Sequence, residues 1–216
     1  MLGIDNFPVF LIASVALNIY PGPDFFYVLG RSISQGRTVG VAATLGISTG
    51  SLCHTVLGAA GLSSILLASP GLFHLIQYAG AAYLVYQAFL LIKRSGGPLQ
   101  SSKMQTGHRN IFTVYRQGLL TNVLNPKVAL FFIALLPQFV SDSCPNTFLA
   151  LSVLGLSFIT TGTLWFLCVA FCAAFFSKKF RENTRGMQCL LHANAVLFLL
   201  LALHLATGHF QGPNTS

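Results

Sequence analysis

Apolar residues run through the chain in six long stretches, which short polar segments separate. The stretches cover Phe7–Gly30, Val39–Ala68, Leu72–Ile92, Gln117–Val140, Thr147–Phe176 and Met187–Thr207. Each has the length of about 20 residues or more that an α-helix needs to cross the hydrocarbon core of a bilayer. The pattern therefore predicts an all-α membrane protein with six transmembrane helices.

The composition supports the same class. Only 7% of the 216 residues are charged and 54% are hydrophobic, whereas about 25% of the residues of a soluble domain are charged. Sixteen charges do not cover the surface of a soluble globule of this size, and the high apolar content excludes a disordered chain. We expect residues 1–216 to form a single integral membrane domain in contact with the lipid bilayer.

The net charge of +8 comes from basic residues that gather on one side of the predicted spans. The segments 69–71 and 141–146 contain no Lys or Arg. Eleven of the twelve basic residues follow the first, third and fifth spans: Arg31, Arg37, Lys93, Arg94, Lys103, Arg109, Arg116, Lys178, Lys179, Arg181 and Arg185. The positive-inside rule makes this side cytoplasmic and leaves both termini outside. Because the charges do not follow one polar face, we expect no nucleic-acid partner.

Residues for enzyme chemistry are absent from the sequence pattern. The five cysteines form no C-x-x-C pair, and no His and Cys residues have the spacing of a zinc site. The chain has only four acidic residues, and the sequence shows no nucleophile paired with a base. We therefore expect no catalytic residue, no metal and no cofactor, and we do not expect an enzyme.

The first span contains a group of helix-breaking and polar residues: Asn18, Pro21, Gly22, Pro23 and Asp24. The two prolines remove two backbone donors, so a regular helix does not continue through them. Asn18 is a candidate to satisfy the freed backbone groups. A carboxylate at the centre of a membrane helix costs about 2.5–3.5 kcal/mol on insertion scales, so Asp24 is expected to face the protein or a cavity.

The fourth span repeats this arrangement with Asn122, Asn125, Pro126 and Lys127. It lies about half a chain length later and crosses the membrane in the opposite direction. We expect an inverted repeat of three plus three spans, with a first repeat at about 1–92, a cytoplasmic loop at about 93–116 and a second repeat at about 117–210. Broken helices at matching places predict a binding site near the membrane midplane. The opposite charges of Asp24 and Lys127 would offset part of each other's cost if they approach.

The second span has a ridge of small residues, because Gly46, Gly50 and Gly58 recur with His54 at every fourth position. Such a ridge favours close contact between helices. For His54 two interpretations stay open, a contact with substrate or proton and a hydrogen-bonded packing residue. Further polar residues within spans are candidates to line a cavity: Ser48, Ser51, Thr55, Tyr83, Tyr86, Thr160, Thr161, Thr163, Trp165, His192 and Asn194.

The ordered motifs resemble those of the LysE/RhtB family of amino-acid exporters. The resemblance rests on Pro21-Gly22-Pro23-Asp24, on Gln35-Gly36-Arg37, and on Asn122-x-x-Asn125-Pro126-Lys127. It implies a multi-pass protein of the bacterial inner membrane that exports amino acids or close derivatives, driven by the proton-motive force. It also implies that the residues of the first and third motifs bind substrate or proton. The resemblance gives no role to His54.

Several alternatives stay open at the level of the sequence. A zwitterion requires a positive partner, such as Lys127, and a negative one, such as Asp24, but a passive channel also has polar residues in its pore. An exporter of another small solute or of a metal ion is a further alternative. The sequence identifies neither the amino acid, nor the coupling ion, nor whether the protein is a homo-oligomer.

The orientation is testable by cysteine labelling. A cysteine at position 102 (Ser102→Cys) in a cysteine-free background lies in the predicted cytoplasmic loop. We expect an impermeant thiol reagent to label it in permeabilised cells only. Labelling in intact cells would reverse the predicted topology.

Overall fold

The computed structural model describes residues 3–68 and 110–173 apart from Asp142, with side chains up to residue 61 in the first range. It also describes separate helical positions in the third and sixth predicted spans: residues 75, 78, 81, 82, 85, 86, 88, 89 and 92, and residues 192, 195, 196, 199, 200, 202 and 203. Each of the six predicted spans contains helix among its described residues. The described residues contain no strand, apart from an isolated bridge between Ile4 and Val140. The all-α fold class is confirmed.

The first predicted span consists of two helices, α1 (Phe7–Ile19) and α2 (Pro23–Gln35), which are bent by 52°. Tyr20 is extended, as expected for a residue that precedes a proline. Pro23 occupies the first turn of α2, where its missing N–H costs no helical hydrogen bond. The helix α2 ends at Gln35, where the φ of 87° at Gly36 stops it, and it therefore extends beyond the predicted end of the span at Gly30.

The fourth predicted span is broken in the same way. The helix α3 (Arg37–Ala68) precedes it, and the span itself comprises α4 (Ile111–Val123) and α5 (Pro126–Leu130). A π-helical turn (Phe131–Leu135) and a 3₁₀ turn (Leu136–Phe139) continue α5, and this second half is bent by 48° from α4. The start of α4 lies six residues before the predicted Gln117, because the Asn110 side chain accepts a hydrogen bond from the Phe112 N–H (3.0 Å) and caps the helix there.

Two continuous helices complete the described part of the fold. The stretch Arg37–Gly61 of α3 and all of α6 (Thr147–Phe171) are long and apolar enough to cross a membrane. With the two bent pairs counted as one span each, the described residues contain up to four candidate spans. The predicted residues 174–176 of the fifth span and residues 93–109 of the predicted loop lie outside the described residues.

The outward surfaces of these helices are apolar, as a lipid environment requires. Ile12, Leu57, Leu124 and Leu164 are all more than half exposed. In the described parts of the third and sixth spans, four alanines are buried and the large apolar side chains are exposed: Ala81, Ala88, Ala195 and Ala202 against Leu75, Tyr78, Phe89 and Leu200. Ala82 is exposed. The large apolar residues therefore face outwards, and most of the alanines face the protein.

Glycines allow α3 and α4 to approach closely. A Cβ atom at Gly46 would overlap the backbone carbonyl of Tyr115, and one at Gly118 would lie 2.7 Å from the Ala43 carbonyl oxygen. At Gly50 the obstacle would be the Asn122 side chain, at 2.8 Å. The predicted small-residue ridge is therefore the contact surface between α3 and α4, as Gly46 and Gly50 show, and it brings α3 next to the break in the fourth span.

We predict that Gly46→Ala destabilises the protein by about 1–3 kcal/mol, because the added methyl group meets backbone that does not move independently. Gly30→Ala is the matched control, since a Cβ atom at Gly30 would meet no described atom within 4 Å. In a helix interior this control should be neutral or stabilising by about 0.5–1 kcal/mol. Thermal unfolding of the purified variants in detergent measures the difference, and equal melting temperatures would contradict the close contact.

Candidate functional site

Both broken spans restart with the same local sequence register. Gly22 and Asn125 are the N-cap residues, Pro23 and Pro126 follow at the first helical position, and Asp24 and Lys127 come second. The Asn125 side chain accepts a hydrogen bond from the Lys127 N–H (3.1 Å), which fixes the start of α5.

Lys127 donates hydrogen bonds to backbone carbonyls at the first break. In an unbroken helix the N–H of residue 21 would bond to the Leu17 carbonyl, but Pro21 has no N–H. The Lys127 Nζ donates to this Leu17 carbonyl at 3.0 Å and to the Tyr20 carbonyl at 3.4 Å. It also lies 4.9 Å from the centre of the Tyr20 ring, a distance typical of a cation–π contact. The lysine after the second break therefore caps the helix before the first one.

His54 contributes in the corresponding way to the second break. Pro126 has no N–H for the Asn122 carbonyl, which instead accepts from the Asn125 N–H at 2.9 Å. The His54 Nε2 lies 3.2 Å from the same carbonyl oxygen, and its ring stacks on Phe132 with the centroids 5.8 Å apart. A tautomer with the proton on Nε2 makes this contact a hydrogen bond. This position favours the packing interpretation of His54.

Asp24 is buried and is held by the second broken span. Its Oδ2 accepts a hydrogen bond of 2.8 Å from the Asn122 amide, and the Asn122 Oδ1 accepts one of 3.2 Å from Ser51. Neither the Asp24 Oδ1 nor the Asn125 Nδ2, which lies close to the same carboxylate, has a hydrogen-bond partner among the residues described. The fourth span therefore contacts both halves of the first span: Lys127 donates to α1, and Asn122 donates to Asp24 of α2.

Asp24 and Lys127 form no direct ion pair in this conformation, although they are electrostatic neighbours. Each charge is held by neutral partners, the carboxylate by an amide and the ammonium by two carbonyls. The predicted approach of the two charges therefore stops short of a salt bridge. Each group keeps one position for a further hydrogen bond. For Asp24 this position is Oδ1, and for Lys127 it is the third N–H of the ammonium.

Asn18 has a different role from the one expected. Its amide donates to the Phe158 carbonyl (3.4 Å) and to the Thr161 hydroxyl (3.2 Å), both in α6. Gly162 provides the space, since a Cβ there would lie 3.0 Å from the Asn18 Oδ1. Asn18 therefore fastens α1 to α6, and it does not satisfy the carbonyls that the first break leaves open.

A narrow, partly open cavity joins these groups. In this conformation the volume open to the centre of a water molecule is about 10 Å³, which is room for about one water. Polar side chains line one part: Asn18, Asp24, Ser48, Ser51, Asn122, Lys127 and Thr163. Apolar ones line the rest: Leu17, Ile47, Val128, Phe158, Ile159 and Phe166. Of the predicted site residues, Pro21, Gly22, Pro23, His54, Asn125 and Pro126 shape the breaks and are not part of this lining.

Sequence reasoning missed the apolar wall as part of the site. Ile47, Phe158 and Phe166 belong to ordinary apolar stretches, and nothing in their spacing separates a residue facing the cavity from one facing lipid. Ser48 and Ser51 were identifiable as polar residues within a span. In the structure the Ser48 and Thr163 hydroxyls are hydrogen-bonded at 2.7 Å, which joins α3 to α6 beside the cavity.

Comparison with known proteins gives a family. The sequence profile of the LysE type translocator family matches residues 15–209. An uncharacterized membrane protein of Pseudomonas aeruginosa is 29% identical over 209 residues, which cover 95% of this chain and 97% of the relative. A leucine efflux protein of Salmonella typhimurium is 26% identical over 173 residues, 79% of this chain and 76% of the relative. No solved structure matches the chain.

The contact between Lys127 and the Leu17 carbonyl is testable by a double-mutant cycle. Lys127→Met keeps the apolar stem but leaves a buried carbonyl without its donor, which should cost about 1–3 kcal/mol of stability. In a Pro21→Ala background the restored N–H of residue 21 is able to bond to Leu17, so the same substitution should cost less. The measurement is unfolding of the four proteins in detergent, and equal costs in both backgrounds would show that the lysine does not cap this break.

Proposed function

Because the chain belongs to the LysE type translocator family, we propose that it exports a neutral amino acid with an apolar side chain in exchange for protons. The chain is a multi-pass membrane protein of a translocator family, and its relatives include a leucine efflux protein. One observation carries the proposal. The cavity at the two helix breaks combines one carboxylate, one ammonium and an apolar wall.

The two charges match those of a zwitterion. The free Oδ1 of Asp24 is an acceptor for the substrate ammonium. The Lys127 ammonium uses two of its three donors on backbone carbonyls, and the third is left for the substrate carboxylate. Because Asp24 and Lys127 do not pair directly, binding the substrate does not require an ion pair to be broken first.

The apolar wall supports a neutral side chain on the substrate. Ile47, Val128, Phe158 and Phe166 line the cavity, and Asp24 and Lys127 are the charged residues among its lining. When the substrate ammonium binds Asp24, the lining has no second acid for a cationic side chain. An aliphatic side chain gains about 25 cal/mol for each Å² of apolar surface that the wall removes from water.

Proton coupling follows from the position of Asp24. In the proposed cycle the carboxylate binds the substrate ammonium when the cavity faces the cytoplasm and binds a proton after substrate release outside. Returning with the proton neutralises a charge that is costly within the membrane. One amino acid leaves and one proton enters for each cycle.

Membership of the LysE type translocator family supports a location in the bacterial inner membrane, and the basic segments described above support an orientation with both termini outside. We also propose that residues 1–92 and 117–210 form the inverted repeats. The matching N-caps at Gly22 and Asn125 and the similar bends of 52° and 48° support this division. Movement of one repeat against the other would then open the cavity to each side in turn.

Transport by the protein in lipid vesicles tests the proposal, with labelled leucine inside and an imposed proton gradient. We expect uphill leucine movement that a protonophore abolishes, and slower movement of lysine. Asp24→Asn keeps the size and the hydrogen bonds but does not titrate. It should reduce proton-driven transport at least tenfold while leucine exchange stays partly active, because the substrate ammonium loses its charged partner but keeps a neutral acceptor.

Asp5→Asn is the matched control, because Asp5 is an exposed acid outside the helices. It should transport as the wild type does. Downhill leucine flux that ignores the proton gradient would instead indicate a channel. Unchanged proton-driven transport by Asp24→Asn would remove this residue from the coupling, and faster transport of lysine would contradict the role of the apolar wall.

A further inference from the structure

A buried arginine lies on the same face of α2 as Asp24. Arg31 is 7% exposed and Asp24 is 4% exposed, and the buried Val28 lies between them. They are seven residues apart, which is two turns or about 10.5 Å along the helix axis. The helix α2 therefore carries an acid at one end of its buried face and a base at the other.

Among the residues that the structure describes, the contacts of Arg31 are with uncharged groups. Its Nη2 donates to the Gln117 Oε1 at 2.8 Å, and its guanidinium lies 5.4 Å from the centre of the Tyr27 ring. The Tyr27 hydroxyl is in turn held by the Val114 carbonyl at 2.7 Å. The Arg31 Nη1 is buried and has no hydrogen-bond partner within the described part of the chain.

This arrangement leaves the guanidinium incompletely satisfied. A buried charge is costly unless an opposite charge and further hydrogen bonds accompany it. A guanidinium is planar and presents adjacent donors that match the two oxygens of a carboxylate. A ligand with a carboxylate would therefore supply the opposite charge and the second acceptor that the Arg31 guanidinium lacks.

We propose that Arg31 is a separate binding station for the carboxylate of the exported amino acid, on the cytoplasmic side of the central cavity. The proposal rests on the proposed function and on the orientation in which the basic segments face the cytoplasm. The ammonium and the carboxylate of an α-amino acid are joined through one carbon atom, so one molecule does not reach both Asp24 and Arg31. The substrate binds first at Arg31 and then moves along α2 to the cavity.

A purely structural role makes different predictions. In that case Arg31 only fastens α2 to α4 through Gln117. Gln117→Leu, which breaks the fastening and keeps the guanidinium, would then reproduce the effect of Arg31→Gln. Transport would fall equally from both sides of the membrane, together with the melting temperature.

The first test measures leucine transport from each side in vesicles that contain oriented protein. Arg31→Gln should raise the KM at the cytoplasmic face about tenfold or more, the loss expected for a charge-assisted hydrogen bond. The KM at the external face should change less than twofold, and Arg31→Lys should restore part of the affinity. Arg116→Gln, at an exposed arginine, is the control and should behave as the wild type does. Equal changes at both faces would overturn the proposal.

A second test does not depend on transport. The binding of 4-methylpentanoate, which has a carboxylate and no ammonium, is measured by thermal shift in detergent. In a Lys127→Met background, which removes the other cation expected to bind a carboxylate, Arg31→Gln should raise its Kd about tenfold, whereas the uncharged amide of the same acid should bind equally with and without Arg31. If the proteins with and without Arg31 bind the carboxylate equally well, Arg31 is not a carboxylate-binding site, even if leucine transport is found. A carboxylate effect without amino-acid transport would instead refute only the proposed function.

Discussion

Within the hydrocarbon core of a membrane, every backbone carbonyl needs a donor from the protein itself, and this requirement organises the described structure. Pro21 and Pro126 each remove the donor for a carbonyl four residues earlier, at Leu17 and at Asn122. Lys127 supplies a donor to the first, and the backbone of Asn125 together with His54 supplies the second. The helices can be broken because each freed carbonyl has a donor nearby, from Lys127 of the fourth span at the first break and from the Asn125 backbone and His54 of α3 at the second.

The same contacts explain how two charges persist so deep in the protein. A closed ion pair between Asp24 and Lys127 would satisfy each charge but would leave little for a substrate. Here the carboxylate is held by the Asn122 amide and the ammonium by carbonyls, so each has a partner and each retains a free position. Burial without neutralisation is costly. The arrangement resembles that of binding sites in which protein dipoles keep a charge in place for a ligand of opposite sign.

Much of the fold and part of the site could be predicted from the sequence. Span length and the proline positions locate the broken helices, because both act locally along the chain. The destination of the Lys127 side chain was not predictable from local rules, although the missing donor of Pro21 points to the Leu17 carbonyl as a group in need of a partner. The sequence-based interpretation of Arg31 was limited to membrane orientation. Its burial depends on how α2 packs against α4, which no short-range pattern encodes.

The hydrogen bond from Lys127 to the Leu17 carbonyl spans 110 residues of sequence. At a synthesis rate of about 5–20 residues per second, the first span is made on the order of 10 s before the residue that completes it. During biosynthesis the break in the first span therefore depends on water, lipid headgroups or the insertion machinery for its hydrogen bonds. The first half of the protein is therefore an assembly intermediate, and its broken first span completes its hydrogen bonds only when the second half arrives.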